Sequence, residues 1–220
     1  MKRAHPATPS RPALSPAVAS LLLVAILGVA CAPTAATAPP VLEAGMVTDD
    51  FERSSLGAAW SVQPPGVAAI TTGDLSSASD ALMIATYIAR SFSPDQFSEA
   101  VLSPTFSNDN LRGVQVFVRR DPTTRQRYGF FVDNQTRIYT LKLDGGDPGI
   151  VLREVPGEFF KANDVVRIEA VGNLIRGIVN GVERISVRND RLMQGQPGLV
   201  VNPTAAFVPH VFAGWRGGTL

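Results

Sequence analysis

Few side chains in this sequence are placed for chemistry, and each has a plainer reading beside the reactive one. Glycoside hydrolysis uses two carboxylates that flank the scissile bond. Glu169 and Glu183 lie on neighbouring stretches and are the acidic pair best placed to approach one another. Arg167, Arg176 and Arg184 run alongside them, so the pair reads equally as mixed charge on a solvated sheet face. A nucleophilic triad would have to use His210, the only histidine after His5, and no Gly-x-Ser-x-Gly elbow precedes it. His210 therefore reads as a strand residue. One such histidine and one cysteine make a poor zinc set. Calcium takes carboxylate and carbonyl oxygens in loops. Asp49 and Asp50 are the candidate ligands, with Asp144-Gly145-Gly146-Asp147 a second acidic turn. The alternative for Asp49 and Asp50 is a strand-entry turn with solvated carboxylates. A sugar site needs aromatic rings and planar polar groups on a sheet face. Arg119, Tyr128 and Tyr139, with Phe117, come from stretches expected to be neighbours, and Arg167 and Glu169 form a second candidate surface. Against this, aromatic rings in such domains commonly fill the core.

The elements that would carry these residues are strands almost throughout. Val165–Val171, Leu174–Val179 and Val182–Val187 are rich in β-branched residues. Gly172-Asn173 and Asn180-Gly181 separate them, and Asn-Gly between such runs is a strong hairpin signal because both turn residues need positive φ. A three-stranded meander follows, with Val166, Ile168 and Ala170 on one face and Val165, Arg167 and Glu169 on the other. Further strands are predicted at 81–87, 99–106, 113–119, 127–133, 137–143, 199–201 and 208–215. Tyr128 and Phe130 share one face of their strand, and Phe131 and Asp133 the other. No stretch keeps a helical period, apart from one short turn allowed at Arg191-Leu192-Met193. Many short strands punctuated by Gly, Pro, Asn and Asp predict an all-β, two-sheet antiparallel sandwich.

The N-terminal segment predicts destination. Lys2, Arg3 and Arg11 precede an apolar run from Val18 to Ala30, a layout that reads as a secretory signal. The run is shorter than the ~20 apolar residues of a membrane span. It ends at Cys31, the only cysteine, and so resembles a bacterial lipoprotein signal, whose cysteine becomes the lipidated N-terminus. The lipoprotein box usually places Leu three positions before the cysteine; Gly28 stands there, with Leu27 one position earlier. The alternative is an ordinary cleaved signal and simple secretion. Ala32 to Pro40 is all Ala, Pro and Thr, a tether composition that buries no core. The expected organisation is a signal over 1–30, a tether over 31–46 and one domain over 47–220, exported and lipid-anchored on the outer side of a membrane.

Removing the signal takes three of the 20 basic residues, leaving 17 against 19 acidic. Near-neutral charge gives no argument for nucleic acid or for an anionic membrane surface, so membrane contact is expected through the lipid only. A lone cysteine excludes an intramolecular disulfide, and a domain of this length can be held by its own core. No Gly-rich phosphate loop runs from a strand into a helix.

Asp49-Asp50-Phe51-Glu52-Arg53, then Leu56-Gly57 and Trp60, resembles the opening of concanavalin A-like, laminin G-like jelly rolls. The meander with Gly172-Asn173 and Val179-Asn180-Gly181, and the segment Gly195-Gln196-Pro197-Gly198-Leu199, resemble later parts of the same superfamily. The resemblance spans roughly Thr48 to Gly217. It implies a jelly roll, and structural calcium near the chain start, where Asp49 and Asp50 fit. It does not fix an activity, since this fold hosts lectins, glycosidases and structural modules. Jelly-roll glucanases carry a one-strand Glu-x-Asp-x-(x)-Glu cluster, which this chain lacks. A more distant resemblance is to the 3-keto-disaccharide hydrolase domain, through the meander and Gly113 to Arg119. Where that domain has Asn-Ser-Gly, this chain reads Asn110-Leu111-Arg112-Gly113. The leading expectation is a non-catalytic module that binds carbohydrate or another envelope component. The alternatives are a glycoside hydrolase-like enzyme and a purely structural envelope domain.

Overall fold

A computed structural model of the chain describes residues 45–220 apart from 134, 147, 148 and 206. The signal segment, Cys31, the tether as far as residue 44, and Asp147 lie outside the described residues.

Among the described residues fifteen strands, numbered in chain order, form two antiparallel sheets. The first runs β13 (Val182–Arg188), β12 (Leu174–Val179), β11 (Val165–Val171), β6 (Gln96–Leu102), β15 (Val208–Thr219), β4 (Asp74–Ser77) and β3 (Ala68–Thr71), with β1 (Val47–Asp49) also paired to β15. We call it the terminal sheet, since it joins the first strand to the last. The second runs β10 (Ile150–Pro156), β9 (Ile138–Asp144), β8 (Arg127–Asp133), β7 (Leu111–Arg120), β14 (Gln196–Pro203), β5 (Met83–Tyr87) and β2 (Trp60–Gln63). We call it the central sheet.

Local chemistry explains the hairpins. Asn180 and Gly181 both have positive φ, 52° and 76°, and close Val179 onto Val182. Gly172, at φ 54°, takes the first central position between Val171 and Leu174. The expected strand at 99–106 is displaced: β6 spans Gln96–Leu102. Pro104 lacks an N–H for a ladder, and Phe106 N closes a turn on Ser103 O at 3.0 Å. No helical turn forms at Arg191–Met193; Arg191 N is held by Asn189 Oδ1, and Leu192 N by Tyr128 Oη.

The core lies between the sheets and takes alternate residues from each strand. Val166, Ile168 and Ala170 face it as expected, as do Val114, Val116, Val118, Tyr128, Phe130, Leu141, Leu199 and Phe212. Each large apolar side chain buried in this way contributes about 1.5–3 kcal/mol. Near the chain ends, Trp60, Tyr87 and Trp215 pack ring on ring, with centroids 4.7 Å apart for Trp60–Trp215 and 5.1 Å for Tyr87–Trp215. Trp215 Nε1 donates to Ser98 Oγ and Trp60 Nε1 to Asp49 Oδ2, so both buried indole N–H groups are satisfied.

Candidate functional site: the outer face of the central sheet

In a sandwich the outward side of each strand meets solvent unless something covers it. On the central sheet several outward residues are nevertheless buried: Phe117 is 0% exposed, Gln115 2%, Val200 3%, Arg127 4% and Arg120 6%. They are buried because side chains lie flat across neighbouring strands, over positions that lack a Cβ. A Cβ on Gly129 would fall 1.7 Å from Gln115 Nε2, one on Gly113 2.5 Å from the Phe131 ring, and one on Gly198 2.5 Å from the Phe117 ring. Three strand glycines thus let a glutamine and two phenylalanines fold down. Glycine inside a strand often marks such a close approach.

The result is a hollowed face. One open hollow of about 660 Å³ runs from Gln63, Pro64 and Pro65 past Leu82 and Ile84 to Arg120 and Arg127. A second, of about 260 Å³, continues over Ile84, Val200 and Arg127 to Gln115, Phe131 and Lys142. They share Leu82, Ile84, Arg127 and Gly145, so they form one surface. Planar polar groups and apolar side chains alternate along it.

Its charges are unequally matched. Among the described residues, Arg120, Arg125, Arg127 and Lys142 line the hollows together with a single carboxylate, Asp144. Asp144 takes a hydrogen bond from Gln115 Nε2 at 2.8 Å, with Lys142 Nζ at 3.4 Å and Arg127 Nη2 at 3.6 Å. Arg120 Nη2 reaches across the sheet to Gln63 Oε1 at 2.8 Å. The Nε atoms of Arg120 and Arg127 are buried without a hydrogen-bond partner among the described residues. Burial pulls both guanidinium pKa values below the ordinary arginine value. Arg125 adds repulsion at Arg120; at Arg127 the attraction of Asp144 works against the pull, and Arg120 adds to it. Arginines stay charged even so. Arg127 also stands over the Phe117 ring, 5.4 Å from its centroid, and Lys142 over Phe131 at 4.5 Å.

The terminal sheet carries the opposite arrangement. Arg216, Glu99, Arg167, Glu169, Arg176 and Glu183 alternate in sign across β15, β6, β11, β12 and β13. Arg216 pairs with Glu99, and Arg167 Nη1 lies 3.4 Å from the same carboxylate. Arg167 Nε donates to Glu169 at 2.7 Å, Arg176 pairs with Glu169, and Arg176 Nη1 lies 3.9 Å from Glu183. Arg167 also covers Phe97, 3.7 Å from the ring centroid. The expected candidates Arg167 and Glu169 are thus committed to one another. Glu169 and Glu183 do come near each other, but Arg176 sits between them as a shared counter-ion.

The other predicted residues take structural places. Tyr128 is 0% and Tyr139 5% exposed, both facing the core. The Tyr128 hydroxyl donates to Asn189 Oδ1 at 2.6 Å and accepts from Leu192 N, which pins the segment after β13; burial raises its pKa. Arg119, 0% exposed at φ 54°, donates to the carbonyls of Pro94 and Leu192 and ties those segments to the end of β7. Its side chain faces no hollow with Tyr128 and Tyr139, and the three do not form a sugar surface.

Asp49 does not fit calcium. Its oxygens accept from Phe51 N at 2.9 Å, Arg53 Nη1 at 2.7 Å, Arg53 Nη2 at 2.6 Å and Trp60 Nε1 at 2.7 Å. A guanidinium already stands where a cation would go. Burial alone would raise the Asp49 pKa, but those hydrogen bonds outweigh it and the net shift is downward. Asp50 is exposed and accepts from Glu52 N at 3.1 Å. A hollow of about 730 Å³ beside these residues is lined by Asp49 paired with Arg53, Glu99 paired with Arg216, and Asp50. Among the described residues no three His, Cys, Asp or Glu side chains gather as a metal set. His210 lies in β15 as predicted, its Nδ1 2.9 Å from Asp74 Oδ2. Ser103 donates to that same carboxylate at 2.7 Å, so the hydroxyl meets the aspartate and not the imidazole.

No family model and no curated protein matches the chain. Solved structures do resemble it. A carbohydrate-binding module, CBM66 from Bacillus subtilis, is 17% identical over 73% of this chain and 92% of its own, with a TM-score of 0.55. The exoplasmic/lumenal domain of VIP36, in a Ca2+/Man3GlcNAc-bound form, is 12% identical over 80% of this chain and 89% of its own, at 0.57. The β-glucanase of Bacillus licheniformis is 11% identical over 80% of this chain and 99% of its own, at 0.56. At such identities the likeness carries the fold and not the activity: the chain folds as a concanavalin A-like jelly roll.

Proposed function

We propose that the protein is a carbohydrate-binding module and that the hollowed face of the central sheet holds the sugar. One observation carries the reading. Gln63, Gln115, Asn202, Arg120 and Arg127 present planar polar groups on the same surface as the apolar side chains of Leu82, Ile84 and Phe131. Sugars offer hydroxyls in fixed directions and apolar C–H faces, and such a mixed surface meets both. The likeness to CBM66 and to the mannose-glycan-bound VIP36 domain supports it. The signal layout and the Ala32–Pro40 composition support display on a lipid at Cys31, with residues 31–46 as tether. In this reading the module binds without turning its ligand over. Calcium is not needed at Asp49, where Arg53 does the neutralising.

A broad glycan array probed with the full chain tests the function. Saturable binding to one sugar class, weakened by Gln115→Ala, is the expected result. A blank array, or binding indifferent to that substitution, contradicts it.

A further inference from the structure

The hollowed face holds four cations against one carboxylate, and that carboxylate is already divided among Gln115, Lys142 and Arg127. Among the described residues near this end, Asp121 attracts Arg120 but is held by its own turn: its Oδ1 accepts from Thr123 N at 2.8 Å and Thr124 N at 2.6 Å. Arg127 is poorly satisfied: its residue is 4% exposed, it lines both hollows, its Nε has no hydrogen-bond partner among the described residues, and its Nη2 lies 3.6 Å from Asp144. Arg120, at 6% exposed, has one hydrogen bond, to the neutral Gln63.

Burying two like charges together with so few acceptors opposes folding. On the terminal sheet the same chain matches its arginines with glutamates, so the mismatch on the central sheet is local. A guanidinium presents a planar fork of donors that suits an oxyanion with paired oxygens. Arg125 and Lys142 add charge on either side, and Leu82, Ile84 and Phe131 keep apolar surface beside it.

We infer that the ligand is an acidic sugar, whose carboxylate or sulfate sits against Arg127 and Arg120 while its ring lies over the Leu82–Ile84–Phe131 surface. The inference rests on the carbohydrate-binding reading and narrows it to a ligand class. The oxyanion supplies the acceptors the two arginines lack, and the neutral floor of Gln115 and Val200 leaves room for the ring.

The test is isothermal titration of the full chain with three probes. These are an oligogalacturonate, the same oligomer methyl-esterified to remove its charge, and a sulfated galactan oligosaccharide that carries sulfate but no carboxylate. Tighter binding of either acidic probe than of the ester, by about tenfold or more, is expected, since charge-assisted hydrogen bonds are roughly twice as strong as neutral ones. Which acidic probe binds better separates carboxylate from sulfate. Arg127→Gln is expected to weaken the acidic probe by about tenfold and the ester by clearly less, so that the preference for the acid falls. Thermal melting checks that the variant folds, and Arg120→Gln is the second variant. Equal binding of ester and acid overturns the acidic-sugar inference but leaves the carbohydrate reading standing. Binding of none of the three, together with a blank glycan array, removes both.

Discussion

The two outer faces of this sandwich solve the same electrostatic problem in opposite ways. On the terminal sheet Arg216, Arg167 and Arg176 alternate with Glu99, Glu169 and Glu183, and each charge has a partner of opposite sign within 4 Å. On the central sheet Arg127 and Lys142 share Asp144, while Arg120 bonds the neutral Gln63 and Arg125 lines the same hollow as Arg120. The first face is internally neutral and closed to a charged ligand unless a pair is broken. The second is short of acceptors and floored by glycines. A paired face contributes to folding; an unpaired one keeps interaction energy for something outside the chain.

The largest expected effect comes from breaking the neutral face. Glu99 is 4% exposed and lies between Arg216 and Arg167. Glu99→Gln leaves Arg216 without its carboxylate and Arg167 with Glu169 alone, and should cost about 3 kcal/mol, a fall in Tm of roughly 6–12 °C. The matching change on the other face, Arg127→Gln, leaves Asp144 its contacts to Gln115 and Lys142 and should alter stability by less than about 1 kcal/mol. Equal losses in the two melts would erase the contrast.

A smaller effect is expected at the end of β1. Asp49→Asn removes a carboxylate that accepts two hydrogen bonds from Arg53, and should cost about 2 kcal/mol near neutral pH. The folded pKa of Asp49 lies below its ordinary 3.8, so its contribution is present above that value and is lost as pH falls from 3.8 through the folded value. Wild type and variant should therefore converge in Tm under acid. A gap that persisted at the lowest pH would point to lost packing and not to the charge.

Gly129→Val should cost only about 1 kcal/mol, mainly the bond from Gln115 to Asp144. By lifting Gln115 off the floor it should nevertheless abolish sugar binding, which a melt and a titration on the same sample would separate. The smallest effect is that of calcium: neither its addition nor a chelator should move the Tm. A rise of several degrees would return Asp49 and Asp50 to consideration as ligands.

How far the sequence reached follows from distance along the chain. The β11–β13 meander was legible because each turn and its strands are contiguous, and Asn180-Gly181 sets the register locally. β3, β4 and β1 were not, because Ala68–Thr71, Asp74–Ser77 and Val47–Asp49 are three or four residues long; β1 and β4 gain their order from β15, far away in sequence, and β3 from β4. Ile150–Pro156 was also missed: β10 is an edge strand, mostly exposed, with no buried alternation to show. The parity of β8 was read correctly, with Tyr128 and Phe130 on one face and Phe131 on the other. Of the aromatics expected in a sugar surface, Tyr128 and Tyr139 face the core, and Phe117 lies flat on the outer face. The better signal was Gly129 between Tyr128 and Phe130, with Arg120, Arg125 and Arg127 clustered around one hairpin turn. Nothing local could reveal that Gly198, Ile84 and Gln63 complete the floor, since β14, β5 and β2 arrive from both ends of the chain.

One measurement bears most directly on the division of labour between the faces. A sugar that binds the full chain should be titrated by calorimetry into two variants, Gln115→Ala on the central sheet and Arg176→Gln on the terminal sheet. The account predicts a loss of about tenfold or more in affinity for the first and wild-type affinity for the second. Wild-type binding by the Gln115 variant, with loss in the Arg176 variant, would place the ligand on the paired face and contradict it.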